Sequence, residues 1–138
     1  VIRLEVRGKP QALKRHRTFR LPNGNIRNYD PSEGDKKDFL AICQNKAPKS
    51  PLDGPISMKL WFYMPRPKNH YGTGRNAGIL KDWAPRLHTS KPDLDNLVKF
   101  VKDALNKVFY LDDSQISTLA AGKFYASVPR TIIEIGKI

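Results

Sequence analysis

Residues 91–116 read KPDLDNLVKFVKDALNKVFYLDDSQI, and the rest of the chain is best understood from this stretch. Leu97, Phe100, Val101, Ala104, Leu105 and Val108 recur at helical spacing, which predicts an amphipathic helix over 96–108 with one apolar stripe. Lys99, Lys102, Asp103 and Asn106 fall off that stripe. The same stretch holds five of the thirteen acidic residues, namely Asp93, Asp95, Asp103, Asp112 and Asp113. Asp93 and Asp95 stand just before the helix and Asp112 and Asp113 just after it. Pro92 biases the chain before it toward extended backbone, and Asp95 is placed to cap the helix start. Lys99 follows Asp95 by one helical turn, so its ammonium can reach the same spot.

Outward from this stretch, the chain has 138 residues, the size of one domain. Lys and Arg number 25 against 13 acids, a net charge of +12. Such a surplus favours a polyanionic partner, nucleic acid above all. No run approaches the ~18 apolar residues of a membrane span, and the first residues carry no signal-peptide pattern. The single cysteine, Cys43, excludes a disulfide framework and a Cys-based zinc site. It is expected to be a buried, inert thiol. These features fit a cytoplasmic protein.

Strand patterns flank the helix. Ile2, Leu4 and Val6 alternate with Arg3, Glu5 and Arg7, and Ile56, Met58, Leu60, Phe62 and Met64 form a second alternating set. Trp61 and Tyr63 make the other face of that second strand half-apolar, as in a central strand. Residues 18–29 read as a hairpin turning at Asn23-Gly24. Asp30 and Pro31 signal a helix start, with Phe39, Ile42 and Cys43 inward as far as about Asn45. Two further strands are expected near 115–125 and 130–136. Residues 65–90 form a long basic loop in which Arg66, Lys68, Arg75, Lys81 and Arg86 interleave with His70, Tyr71, Trp83 and His88. It reads either as a stacking groove for nucleic acid or as a solvated loop. The order β, ββ, α, β, loop, α, β, β predicts an α+β fold: one domain over 1–138, with a mixed sheet and two main helices.

The acidic residues suggest a chemistry. Two carboxylates about 4 Å apart repel by about 4 kcal/mol at an effective dielectric near 20, and a third adds to this. A proton, a basic side chain or a cation relieves the repulsion. Oxygen ligands without His or Cys suit Mg²⁺, with Mn²⁺ as a substitute. Such an ion binds a phosphate oxygen and lowers the pKa of bound water, while Lys99 would offset charge developing on the phosphate. If the chain turns back along the sheet after the helix, Asp112 or Asp113 meets the first pair. Each residue also has an ordinary role open to it: Asp95 as a cap, Asp103 as an ion pair with Lys99, Asp112 and Asp113 in a polar turn. Lys14, Arg15 and Arg17, in KRHR, are candidates for contacts with a DNA backbone.

The set D-x-D-N-L-x-K, then D-A-L, then D-D before S-Q-I closely resembles the RusA family of Holliday-junction endonucleases, which includes phage and prophage members. The match falls on Asp93, Asp95, Asn96, Leu97, Lys99, Asp103, Asp112 and Asp113, and GKP with its basic cluster resembles the family's N-terminal segment. The resemblance implies that Asp93, Asp95 and Asp113 are the metal-binding catalytic carboxylates. It makes Lys99 the lysine at the scissile phosphate and Asp112 a possible additional acid. It further implies a RusA-like fold and a homodimer that resolves four-way DNA junctions by paired symmetric nicks, in recombination, repair or phage replication. Two other readings remain at this point: a non-catalytic nucleic-acid-binding domain, and a less selective metal-dependent nuclease.

Overall fold

A computed structural model describes all residues, 1–138. Eight elements follow in chain order: β1 (Ile2–Arg7), β2 (Arg17–Arg20), β3 (Ile26–Tyr29), α1 (Glu33–Cys43), β4 (Ile56–Pro65), α2 (Leu94–Leu105), β5 (Ile116–Ala126) and β6 (Arg130–Lys137). Four strands make one sheet in the order β1-β6-β4-β5, and β2 and β3 form a separate ribbon. β6 pairs antiparallel with β1 and β4, whereas β5 runs parallel to β4, so the sheet is mixed as expected. A parallel pair needs a long crossover, and residues 66–115 with α2 supply it.

One face of the sheet carries the core. Leu4 and Val6, the alternating set Ile56 to Met64, and Ile133 and Ile135 meet Phe39 and Cys43 of α1 and the α2 stripe. Leu97, Phe100, Val101, Ala104 and Leu105 are all buried, and Phe100 meets Phe39 edge to face at 5.5 Å between ring centroids. Burial pushes the Cys43 thiol up to about 11, in keeping with an inert side chain. The opposite face carries Trp61, Tyr63 and Phe124 in contact, with the Arg130 guanidinium 4.0 Å from the Tyr63 ring centroid.

Several local expectations are corrected. α1 begins at Glu33, with Ser32 at the N-cap position. Asp30 instead accepts the Ser32 N–H at 2.9 Å and closes the turn before the helix. Ile42 is exposed, because the side of α1 that faces the core carries Phe39, Leu40 and Cys43. The ribbon's connection is the wider loop Leu21–Asn25, in which Gly24 takes a positive φ of 87° and Asn23 accepts the Asn25 N–H at 3.0 Å. α2 begins two residues earlier than its stripe suggested, with Asp93 and not Asp95 at the N-cap position. It ends before Val108, and Lys107 at a φ of 71° turns the chain away.

The segment 65–90 is tied to the fold at its ends, while Trp83 stays exposed and lines an open groove with Gly72, Asn76, Leu80 and Lys81. It folds against β5: His88 N–H donates to the Lys123 carbonyl, and Tyr125 N–H donates to the Arg86 carbonyl at 2.8 Å. Three of its cations lie over rings, two of which are supplied by β5. Arg66 lies over Tyr125, Lys81 over Trp83 and Arg86 over Phe124. His70 is buried against Trp83 and Tyr125.

Candidate active site

Asp93 and Asp95 stand exposed at the mouth of α2, where free backbone N–H groups favour anions. Asp93 makes no side-chain cap bond, so its carboxylate remains available. A buttress that the sequence did not reveal fixes the turn before it. Lys123 of β5 reaches back and donates to the Ser90 carbonyl at 2.7 Å and the Pro92 carbonyl at 2.8 Å. The Lys91–Pro92 peptide between them is cis. On the other side, Leu13 N–H donates to the Asn96 carbonyl at 3.0 Å, which ties the basic N-terminal segment to the first turn of α2. Lys9, Lys14 and Pro92 line a cavity of about 520 Å³ beside that turn.

Lys99 is exposed and makes no ion pair; the expected Lys99–Asp103 pair does not form. Asp103 lies instead 3.8 Å from Lys36 of α1, whose ammonium also meets Asp30 at 2.5 Å. This bond to Lys36, aided by the Ser32 N–H and by His16, holds the Asp30 carboxyl below its ordinary value. Stability from Asp30 is therefore full above the usual carboxylate range and is lost as pH falls through its lowered value. Thermal melts of wild type and Asp30→Asn between pH 7 and 2 are expected to diverge at neutral pH and converge in acid; parallel curves at every pH would refute the linkage.

Asp112 and Asp113 sit at the other end of α2. Asp112 is occupied: it accepts the Ser114 N–H at 3.0 Å, pairs with Lys107 at 3.3 Å, and completes a capping box with Gln115. Gln115 in turn donates to the Leu52 and Gly54 carbonyls and pins this turn to the linker before β4. Asp113 has no such partner. It lies close enough to Tyr110 to help burial raise that phenol's pKa, together with Asp103 and Asp112. The Tyr110 hydroxyl donates at 2.7 Å to the carbonyl of Lys102, in the last turn of α2. The helix rise between Asp95 and Lys102 is on the order of 10 Å. Asp113 thus belongs to the C-terminal end of α2, and Asp93 and Asp95 to its N-terminal end.

The acids of this region divide clearly. Asp103 and Asp112 have basic partners. Asp93, Asp95 and Asp113 have none, in a chain with a +12 charge and many free cations. Unrelieved carboxylates of this kind are the donor chemistry of a hard divalent cation. Within one chain, however, no three His, Cys, Asp or Glu side chains come together to hold a metal.

The basic candidates also separate. Lys14 lies 4.0 Å from Asp35 on α1. Arg15 is exposed beside the ribbon, and Arg17 opens β2. Arg20 and Arg27 extend the same charge along the ribbon. The sequence reading missed these two because the hairpin's faces were not resolved.

The family model described as endodeoxyribonuclease RusA matches residues 7–136. The chain is 35% identical over 144 aligned residues to the uncharacterized protein YqaN of Bacillus subtilis (strain 168), covering 99% of this chain and 96% of that protein. It is 28% identical over 134 residues to the crossover junction endodeoxyribonuclease rusA of Lactococcus phage r1t, covering 94% and 92% respectively. The chain belongs to the RusA family of endodeoxyribonucleases. No helix in it is long and apolar enough to cross a membrane.

Proposed function

We propose that the protein is a Mg²⁺-dependent, structure-selective endodeoxyribonuclease that resolves four-way and related branched DNA by paired symmetric nicks, with Mn²⁺ able to replace Mg²⁺. The observation that carries this reading is that, of the five acids on and around α2, Asp103 and Asp112 have basic partners while Asp93, Asp95 and Asp113 stand free amid an excess of cations. Asp93, Asp95 and Asp113 would hold the ion, which when bound polarises the scissile phosphate and a water. Lys99, exposed one turn above Asp95, offsets the charge that builds on the phosphate. Asp112 serves the turn that presents Asp113, and its carboxylate is already engaged by Ser114 and Lys107.

One chain does not gather the three carboxylates, so the active form is a homodimer in which Asp113 of the partner subunit completes each site. A two-fold axis across α2 places the start of one helix beside the end of the other. The surface there suits a second copy. Leu94, Val98, Leu119 and Ala121 line an open groove between α2 and β5, next to Asp95 and Lys99. Leu119 is 46% exposed, on the sheet's outer strand. Two sites related by two-fold symmetry also account for two symmetric cuts.

The test is nicking of a synthetic four-way junction, with mapped cut positions, in Mg²⁺ and in chelator. Cuts at symmetric positions in Mg²⁺ alone are expected. Equal cutting of flaps, hybrids and junctions would instead make it a general nuclease, and binding without cutting under any metal would leave only a binding domain. Neutralising Lys14, Arg15 and Arg17 together is expected to lower the salt slope of junction binding by about 2–3. An unchanged slope would place the phosphate contacts elsewhere.

A further inference from the structure

The register of the β2–β3 ribbon sorts its side chains into two faces. Arg17 stands opposite Tyr29, and Phe19 opposite Arg27. Opposed residues and residues two apart share a face. One face therefore presents Arg17, Phe19, Arg27 and Tyr29 together, and the other Thr18, Arg20, Ile26 and Asn28. Phe19 and Tyr29 meet edge to face at 6.0 Å between centroids, yet remain 47% and 45% exposed.

This face contrasts with the aromatic clusters elsewhere in the chain. In those clusters the cations already lie over rings within the fold, as Arg66, Lys81, Arg86 and Arg130 do. Arg17 and Arg27 lie over no ring and join no ion pair. Every residue of both strands is exposed, and an isolated two-stranded ribbon is marginal in water. From Lys9 to Tyr29 the chain holds six Lys or Arg and no acid, so the complementary occupant is a polyanion with flat apolar groups.

We propose that the Arg17–Phe19–Arg27–Tyr29 face of the ribbon is a stacking platform for unpaired or unstacked nucleobases at a DNA branch point. In linear duplex the base faces are hidden by their neighbours, and the ribbon meets only phosphates. At a branch or in a single strand the faces are accessible, and aromatic stacking adds to the phosphate contacts. The platform thereby distinguishes branched from linear DNA. The proposal rests on the reading of this chain as a branched-DNA enzyme but is tested without cleavage.

The experiment compares affinity for a four-way junction, a short oligothymidylate and a linear duplex, all in chelator. Wild type is set against Phe19→Ala, Tyr29→Ala, the double variant and Phe19→Trp, with size-exclusion chromatography of each. Each alanine is expected to weaken junction and oligothymidylate binding about tenfold, with duplex binding within about twofold. Phe19→Trp is expected to retain wild-type selectivity. Equal loss on all three DNAs, including with Phe19→Trp, would reduce the ribbon to an electrostatic or structural arm and overturn the platform. A change of oligomeric state in the alanine variants would make the face a contact between copies and likewise overturn it. A selective loss in a protein that nicks no junction would keep the platform and reject the nuclease reading; junction nicking without selective loss would do the reverse.

Discussion

Asp93→Asn and Asp113→Asn, each inert alone, are expected to regain junction nicking when mixed and allowed to exchange subunits. The reason is the position of the acids at opposite ends of α2. Each substitution alone should lower cleavage by roughly 10²–10³-fold, the scale seen when one charge-stabilising group is removed from a reaction site. Junction affinity should change little, because the basic surface remains. If each site draws Asp93 and Asp95 from one subunit and Asp113 from the other, a mixed dimer has one site with both lesions and one with neither. Random exchange then returns about a quarter of wild-type nicking, as single rather than paired cuts. If all three carboxylates acted within one subunit, every site in the mixture would carry a lesion and no activity would return. The starting activities are so low that the two outcomes differ by a factor on the order of 10².

Lys123→Met is expected to cut turnover by roughly 10²-fold, with junction affinity within about threefold. Lys123 reaches no substrate in this reading; it is a positioning residue. Its ammonium holds the Ser90 and Pro92 carbonyls, and through them the backbone that delivers Asp93. Each charge-assisted bond contributes about 1.5–3 kcal/mol. Releasing both lets the Asp93 carboxylate wander, and a shift of about 1 Å at a reacting group costs on the order of 10²-fold. Methionine keeps the apolar stem and removes only the donor. The Mg²⁺ concentration for half-maximal rate should rise, and Lys123→Arg should restore most of the activity. A lowered melting temperature with unchanged turnover and Mg²⁺ response would show that Lys123 only stabilises the sheet edge. Burial, and then the nearby charges of Lys123 and Lys9, also lower the pKa of His88 in this basic corner.

The helix, the strand pattern and the acid-rich motif were legible because each depends on local periodicity. The α2 stripe could be read from spacing alone, and five of its six members are buried. Leu4 and Val6 of β1 and the alternating set of β4 are buried as their period predicts, with Ile2 half-buried at the strand end. Errors arose where a choice depended on a partner distant in sequence. Asp103 was assigned to Lys99 on its own helix, but Lys36 arrives from α1. Residues 65–90 read either as a stacking groove or as a solvated loop, because their rings and cations alternate. Only the fold shows that β5 supplies Tyr125 and Phe124 as the rings against which Arg66 and Arg86 lie. Exposed aromatics with free arginines also occur on a hairpin whose faces could not be assigned before its register was known.

By itself the sequence determined the α+β class, the buried stripes and the identity of the five acids, since side-chain periodicity and residue chemistry are local properties. Tertiary structure decided which of those acids are neutralised by neighbours and which remain free, and it placed Asp113 and the Asp93–Asp95 pair at opposite ends of one helix. Charge pairing depends on distance through space, and the chain order of an acid and a base does not fix that distance.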